Sequence, residues 1–319
     1  MSFFTIQQIR KTYPDQVALH DFSLNIQKGS LLSIVGESGS GKSTLLRILA
    51  GLEKQDSGSV YLKGEKILNP SEKLVAGYDE IKLIHQDYHL YPNSTVEENI
   101  ARPLLLYDKK YAQERVKTLL KQFRLNKLAD RFPRQLSGGQ QQKVAIAAAL
   151  AIEPEVLLLD EPFSSLDTIQ THQLIGELAD SFKEAQTTVI FVTHDLDDAL
   201  RLTDDLLILQ KGKIVQQGSS RELCEQPKSR YIARLFSPIN AIPNTDNCFI
   251  RPTDVKLRTK GGLLAHVVDY RYLVHFNSLQ IRLKESGLIW EVDDPQRRFE
   301  KGDRVYLNWD TEKELQLAR

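Results

Sequence analysis

The stretch Gly36-Glu37-Ser38-Gly39-Ser40-Gly41-Lys42-Ser43-Thr44 crowds three glycines against a lysine and a run of hydroxyls. Bare backbone can curl its amide N–H groups around phosphate oxygens, and a helix that starts there adds its positive end. The spacing Gly36-x-x-x-x-Gly41-Lys42-Ser43 is that of a P-loop, in which Lys42 reaches the outer phosphates of a nucleotide and the Ser43 hydroxyl faces Mg2+. A second place for chemistry is the pair Asp160-Glu161. Asp160 suits the Mg2+ shell, and Glu161 can polarise an attacking water as a general base. A third is Ser137-Gly138-Gly139-Gln140, another helix start free to hold an anion. One P-loop and a separate anion-binding helix start serve two sides of one nucleotide only when two chains meet.

The elements that must position these groups are legible around them. "SLLSIV" is a short apolar run that predicts a buried strand, and "STLLRILAGL" places Leu45, Leu46, Ile48 and Leu49 at helical spacing before Gly51. The apolar run Val156 to Leu159 predicts a strand that delivers Asp160 and Glu161 at its end, where α/β sheets hold ligands. "RVKTLLKQF" puts Val116, Leu119, Leu120 and Phe123 on one helix face, so residues 88–150 read as an inserted helical subdomain. "ELADSF" continues a helix with Ile175, Leu178, Ala179 and Phe182, and "DLLILQKGKIVQQG" predicts a hairpin around "QKGK". A boundary falls near "LFSPINAIPNTDN"; beyond it "LLAHVVDY", "YLVHFN", "LQIRL" and "DRVYLNWD" predict short strands of a small barrel related to the OB-fold. The fold class is therefore α/β, a P-loop NTPase with an inserted helical subdomain and a small C-terminal all-β domain.

Composition narrows the function classes. The 319 residues carry 42 Lys+Arg against 42 Asp+Glu, so no global field favours nucleic acid. The two cysteines, Cys224 and Cys248, offer neither a disulfide framework nor a metal-ligand spacing and suit a reducing compartment. The start "MSFFTIQQIRKTYPD" lacks a secretory pattern, and no apolar run approaches the ~20 residues that span a bilayer.

"LSGGQ" at 136–140 resembles the signature of ATP-binding cassette (ABC) ATPases, and the other landmarks of that family follow in its order. Tyr13 resembles the aromatic that stacks on adenine, Gln86 the Q-loop glutamine, Asp167 in "SSLD" the D-loop aspartate, and His194 in "VIFVTHD" the switch histidine. The resemblance runs from about residue 3 to 237. It implies a head-to-tail dimer in which each ATP lies between the Gly36–Thr44 loop of one chain and Ser137–Gln140 of the other. His194 then contacts the γ-phosphate and helps hold Glu161 and water, Gln86 joins Ser43 and Asp160 beside Mg2+, and Asp167 acts across the dimer. Just past the signature, Lys143 and Ala148 stand where the family has arginines, and the stretch from Lys63 to Gln86 departs from its usual importer wording.

"FIRPTDVKL" (249–257) and "KGDRVYLNWD" (301–310) resemble the TOBE domain of importer ATPases for sugars, polyamines, ferric iron, sulfate or molybdate, here in a shorter version. The expected organisation is an ABC ATPase domain at 1–237 and a TOBE-like domain at 238–319. The resemblance implies a subunit that hydrolyses ATP at the cytoplasmic face of the cell membrane to power solute import. Its partners are a second copy of itself, integral membrane permease subunits and, indirectly, an extracytoplasmic solute-binding protein, with no nucleic acid. Tyr88, Leu90 and Tyr91, following Gln86, are the expected permease-coupling residues. The alternatives are a soluble mechanical ABC ATPase of DNA repair or translation, which carries a long coiled coil or two cassettes, and an exporter ATPase.

Overall fold

The computed structural model describes residues 3–85, 90–164, 166 and 168–317. The chain forms two compact units, Met1–Ser220 and Arg221–Arg319.

The first unit is built on two sheets. Strands β1 (Phe4–Tyr13), β2 (Gln16–Ile26), β4 (Ser57–Leu62) and β5 (Glu65–Lys66) form an antiparallel sheet in the order β2-β1-β4-β5. The second sheet, in the order β10-β9-β3-β8-β7-β6, contains β3 (Leu31–Val35), β6 (Ile81–Ile84), β7 (Val156–Asp160), β8 (Thr188–Thr193), β9 (Asp205–Gln210) and β10 (Lys213–Ser219). Five of these strands run parallel, and β10 alone pairs antiparallel, at the edge. Parallel strands are covered on both faces and so read as unbroken apolar runs. Val156 to Leu159 are all buried, and β7 thereby ends at Asp160 as the sequence predicts. One core joins both sheets to the helix α1 (Lys42–Leu49), with Phe4, Phe22, Ile34, Leu45, Leu158 and Ile190 in mutual packing.

The helical part contains α2 (Val96–Ala101), α3 (Lys109–Gln122) and α4 (Gly138–Leu150). Val116, Leu119, Leu120 and Phe123 are buried, as their spacing requires. Helix α5 (Thr168–Ala185) buries Ile175, Leu178 and Phe182, but Leu174 is buried where Ala179 remains half-exposed, because the larger side chain covers more apolar surface. A short helix, α6 (Leu196–Leu202), follows β8. The β9–β10 hairpin turns through Lys211 and Gly212, both at positive φ.

The second unit opens with α7 (Ser220–Glu225) and α8 (Arg230–Phe236) and continues as an OB-like β domain. Its strands are β11 (Asn240–Ala241), β12 (Cys248–Ile250), β13 (Lys256–Arg258), β14 (Leu263–Tyr272), β15 (Asn277–Leu283), β16 (Ile289–Asp294), β17 (Arg304–Asn308) and β18 (Leu315–Gln316). They form a three-stranded sheet, β11-β12-β18, and a five-stranded sheet, β13-β17-β14-β15-β16, around buried Trp290, Ile281 and Leu307.

Residues 221–237, assigned from sequence to the first domain, thus group with the second. Arg251 explains it: its guanidinium donates to Cys224 O (2.8 Å), Ala233 O (3.1 Å) and Ser237 Oγ (2.5 Å), tying both helices to the β domain. "YLVHFN", read as one strand, instead ends β14 at Tyr272, turns through residues 273–276 and begins β15 at Asn277. Leu273 N–H donates to Phe276 O (2.9 Å), and Arg297 stacks on Tyr272 while donating to Val274 O (2.7 Å). β16 was not anticipated; only alternate residues, Trp290, Val292 and Asp294, are buried along it.

Candidate nucleotide site

The loop between β3 and α1 fits only glycine at two places because neighbouring backbone is close. A Cβ on Gly36 would lie 2.2 Å from Leu209 O, and one on Gly41, at φ +101°, would lie 2.2 Å from Ala18 O. The loop is thus pressed between β9 and β2, which aims it at a cavity of about 330 Å3 lined by Ser38, Gly39, Gly41, Lys42, Ser43 and Thr44 together with Gln16, Ala18, Asp160 and Glu161. Lys42 is only 4% exposed, and its Nζ donates to Gly36 O (2.7 Å) and Glu37 O (3.0 Å) and lies 3.7 Å from Glu161 Oε1. Burial pulls its pKa down, and the Glu161 carboxylate opposes that pull. A cation held this way presents its charge to the cavity with little freedom left to lose.

Ser43 Oγ donates to Asp160 Oδ1 at 2.9 Å. Burial pushes the Asp160 carboxyl up, and the Ser43 hydrogen bond works against it. A hydroxyl and a carboxylate side by side are hard oxygen donors of the kind Mg2+ takes. Glu161 sits at φ +43° with its N–H on Val192 O (3.0 Å), and its Oε2 lies 2.9 Å from His194 Nδ1. Lys42 and His194 therefore hold the two oxygens of one carboxylate at the mouth of the cavity.

Tyr13, the expected adenine-stacking aromatic, ends β1 with its hydroxyl bonded to the Glu53 carboxylate and Lys11 Nζ 5.1 Å from its ring centroid. Burial, then Glu53, pushes its phenol pKa up, and the Thr44 side chain works against that rise. Ser137 caps α4: its Oγ accepts from Gln140 N–H (3.4 Å) and its N–H donates to Gln140 Oε1 (3.1 Å). Ser137, Gly138, Gly139 and Gln140 do not line the cavity of their own chain. Gln86, Tyr88 and Asp167 lie outside the described residues. Lys143, one of the two departures from the arginine pattern, still makes a local ion pair with Glu177, which Arg124 Nη1 also meets at 3.0 Å.

Sequence reasoning missed a neighbouring group. A second cavity of about 310 Å3, lined in part by Glu161, His172, His194, Asp195, Asp197 and Asp198, adjoins the Glu161 carboxylate. Its signal was the acidic run after His194 in "THDLDD". Burial, reinforced by Asp195 and Asp197, pushes the Asp198 carboxyl up to about 6. The folded chain then binds that proton more tightly than the unfolded one, so the favourable contribution is fully present below about pH 4 and is lost as pH rises through about 6. Asp198→Asn is expected to raise the melting temperature at pH 8 and to bring no gain near pH 4. A variant that melts below wild type at pH 8 contradicts this.

The "ABC transporter" family matches residues 19–164. The chain is 40% identical to the sulfate/thiosulfate import ATP-binding protein CysA of Synechococcus elongatus over 76% of its length and 70% of that protein. It is 34% identical to the spermidine/putrescine import ATP-binding protein PotA of Haemophilus influenzae over 95% of its own length and 93% of the relative's. The chain belongs to the ABC transporter ATPase family. Among solved structures, the dimeric bacterial ABC transporter cassette MJ0796 matches with a TM-score of 0.60 and 34% identity, covering 68% of this chain and 98% of that one. The post-hydrolysis dimer of that cassette, bound to ADP and Pi, matches with a TM-score of 0.59 and 33% identity, over 68% of this chain and 98% of the other. As an ABC ATPase, the chain is an ATP hydrolase, and the family match at residues 19–164 lies within the first unit.

Proposed function

We propose that this ABC ATPase powers solute import through a membrane permease, working as a head-to-tail dimer at the cytoplasmic face of the membrane and served indirectly by a solute-binding protein outside. The observation that carries the reading is the convergence of Lys42, the Ser43–Asp160 pair and the His194-held Glu161 on one cavity, in a chain similar along almost its whole length to an import ATPase.

The loop amides and Lys42 bind and orient the phosphates of ATP. Ser43 and Asp160, with Gln86, would hold Mg2+, which would neutralise phosphate charge there. Glu161 takes a proton from the attacking water as the water oxygen bonds to the γ-phosphorus and the bond from that phosphorus to the β-phosphate oxygen breaks, leaving ADP and inorganic phosphate. His194 fixes the Glu161 carboxylate through the 2.9 Å contact. Ser137–Gln140 of one chain and Asp167 complete the site of the other, and Tyr13 supports the base. The longest α-helix among the described residues, Thr168–Ala185, has 18 residues, too short for the coiled coil of a mechanical ABC ATPase. Purification of the chain from membranes tests the reading: an importer-type permease with its solute-binding protein is expected, and an exporter permease contradicts it.

Tyr91 gives a second test. Its side chain is 49% exposed, its ring lies 3.6 Å from the Arg102 guanidinium, and its backbone N–H donates to Asn99 Oδ1 at 2.8 Å. The exposed ring and the main-chain anchoring make it a surface group set on a rigid turn. Tyr91→Ala is expected to cost about 0.5–1 kcal/mol, the value of an exposed cation–π contact, rather than the ~3–5 kcal/mol of a core aromatic. Basal ATP hydrolysis stays near wild type and assembly with the permease weakens. A melting temperature lowered by about 10 °C or more together with intact permease binding contradicts the coupling role.

A further inference from the structure

The helical part of the first unit carries an exposed apolar ridge that lies outside the nucleotide site. Arg102–Leu104 is a single 3-10 turn anchored by buried Leu104, and directly after it Leu105 is 74% exposed and Leu106 100% exposed. The backbone here is fixed. Leu105 N–H donates to Arg102 O (3.3 Å), Tyr107 N–H to Leu104 O (2.9 Å), and the Asp108 side chain caps α3 by accepting from Tyr111 N–H (3.0 Å). Tyr107 and Tyr111, both exposed, stack with ring centroids 5.9 Å apart. Two leucines and two tyrosines are therefore held outward by hydrogen-bonded backbone, and contiguous apolar surface presented to water in this way marks a contact site.

Charge selects the occupant. Lys109, Lys110, Lys117 and Lys121 are exposed on the same segment, whose carboxylates are Asp108, engaged in the cap, and Glu114; Arg102, also exposed, is engaged with the Tyr91 ring. Lys109 and Lys110 stand between the two tyrosines in sequence. A protein helix seats in a concave groove, whereas here Leu106 is uncovered on all sides. Leucines that can enter the acyl boundary, tyrosines at headgroup level and ammonium groups opposite lipid phosphates are the composition of an interfacial membrane contact. We propose that the 105–111 ridge is a peripheral contact with an anionic lipid surface, orienting the cassette on the membrane independently of its permease. The inference goes beyond the import reading and holds for either direction of transport.

Co-sedimentation of the purified full chain with vesicles tests it, using phosphatidylglycerol–phosphatidylethanolamine against pure phosphatidylcholine. Two leucines and a few cations give weak, salt-sensitive binding, so the wild type is expected to bind the anionic vesicles at low ionic strength and to release them in high salt. The Leu105→Ser/Leu106→Ser and Lys109→Glu/Lys110→Glu variants are each expected to lose at least ~10-fold in vesicle affinity, with ATP hydrolysis and melting temperature as in wild type. A wild-type chain that stays in the supernatant with anionic vesicles at low salt overturns the proposal, as does undiminished binding by both variants. Should lipid binding be absent while the leucine variant fails to assemble with permease-bearing membranes, the ridge is a protein-docking surface and the lipid assignment falls. The vesicles contain no permease, so failure here leaves the import reading standing.

Discussion

Glu161→Gln is expected to keep ATP binding and to lower turnover by at least ~10²-fold, the usual loss when a general base is removed. The amide has the shape of the carboxylate, so the positive-φ backbone at Glu161, the N–H bond to Val192 O and the seating of the side chain between Lys42 and His194 survive. What disappears is the proton acceptor. Lys42 keeps its bonds to Gly36 O and Glu37 O, and Ser43 keeps Asp160, so the groups proposed to bind phosphate and Mg2+ are untouched. Binding without hydrolysis should accumulate the closed dimer, seen as a doubled mass in gel filtration with ATP. Phosphate release by the variant, assembled with its permease, at near wild-type rate removes Glu161 from the role.

Lys42→Ala is expected to abolish nucleotide binding at ordinary ATP concentrations. Its ammonium is buried, held by two carbonyls, and faces the cavity as a point charge. Truncating one partner of a buried charged hydrogen-bonded pair costs about 2–5 kcal/mol, which weakens ATP binding from tens-fold to beyond ~10³-fold. Calorimetric titration with ATP reads this directly. The variant should still fold, because the loop is positioned by backbone packing of Gly36 and Gly41 against Leu209 and Ala18 rather than by the lysine. Unchanged ATP affinity in a folded variant contradicts the assignment.

Much of this site was legible because its parts are local in sequence. Gly36 and Gly41 declare a backbone that tolerates no Cβ, and an apolar run ending in Asp160-Glu161 must be a buried strand with its carboxylates at the edge. Ser137 followed by Gln140 announces a capped helix start, since the two residues satisfy each other's backbone. What stayed hidden depends on contacts between distant residues. No pattern near Arg251 shows that its guanidinium ties α7 and α8 to the β domain, which moves 221–237 out of the first unit. "YLVHFN" has strand composition, yet its middle turns back through the Leu273 N–H bond to Phe276 O, and Arg297, far along the chain, donates to that turn at Val274 O. The partnership of Tyr13 with Glu53, and the burial that raises Asp198, likewise come from tertiary packing.

Two chains that build each ATP site together should complement one another, and mixing two variants tests this most directly. Ser137 does not line the cavity of its own chain, so Ser137→Arg should leave ATP binding by the monomer intact and block closure, while Lys42→Ala lacks binding. Alone, neither hydrolyses ATP. In a mixed dimer one site combines both defects, and the other pairs an intact Gly36–Thr44 loop with an intact Ser137–Gln140. Equal mixing makes about half of the dimers mixed, so recovery of up to about a quarter of wild-type hydrolysis is expected from a head-to-tail pair. A mixture as inactive as its components, with both chains folded and mixed dimers present, contradicts the composite site.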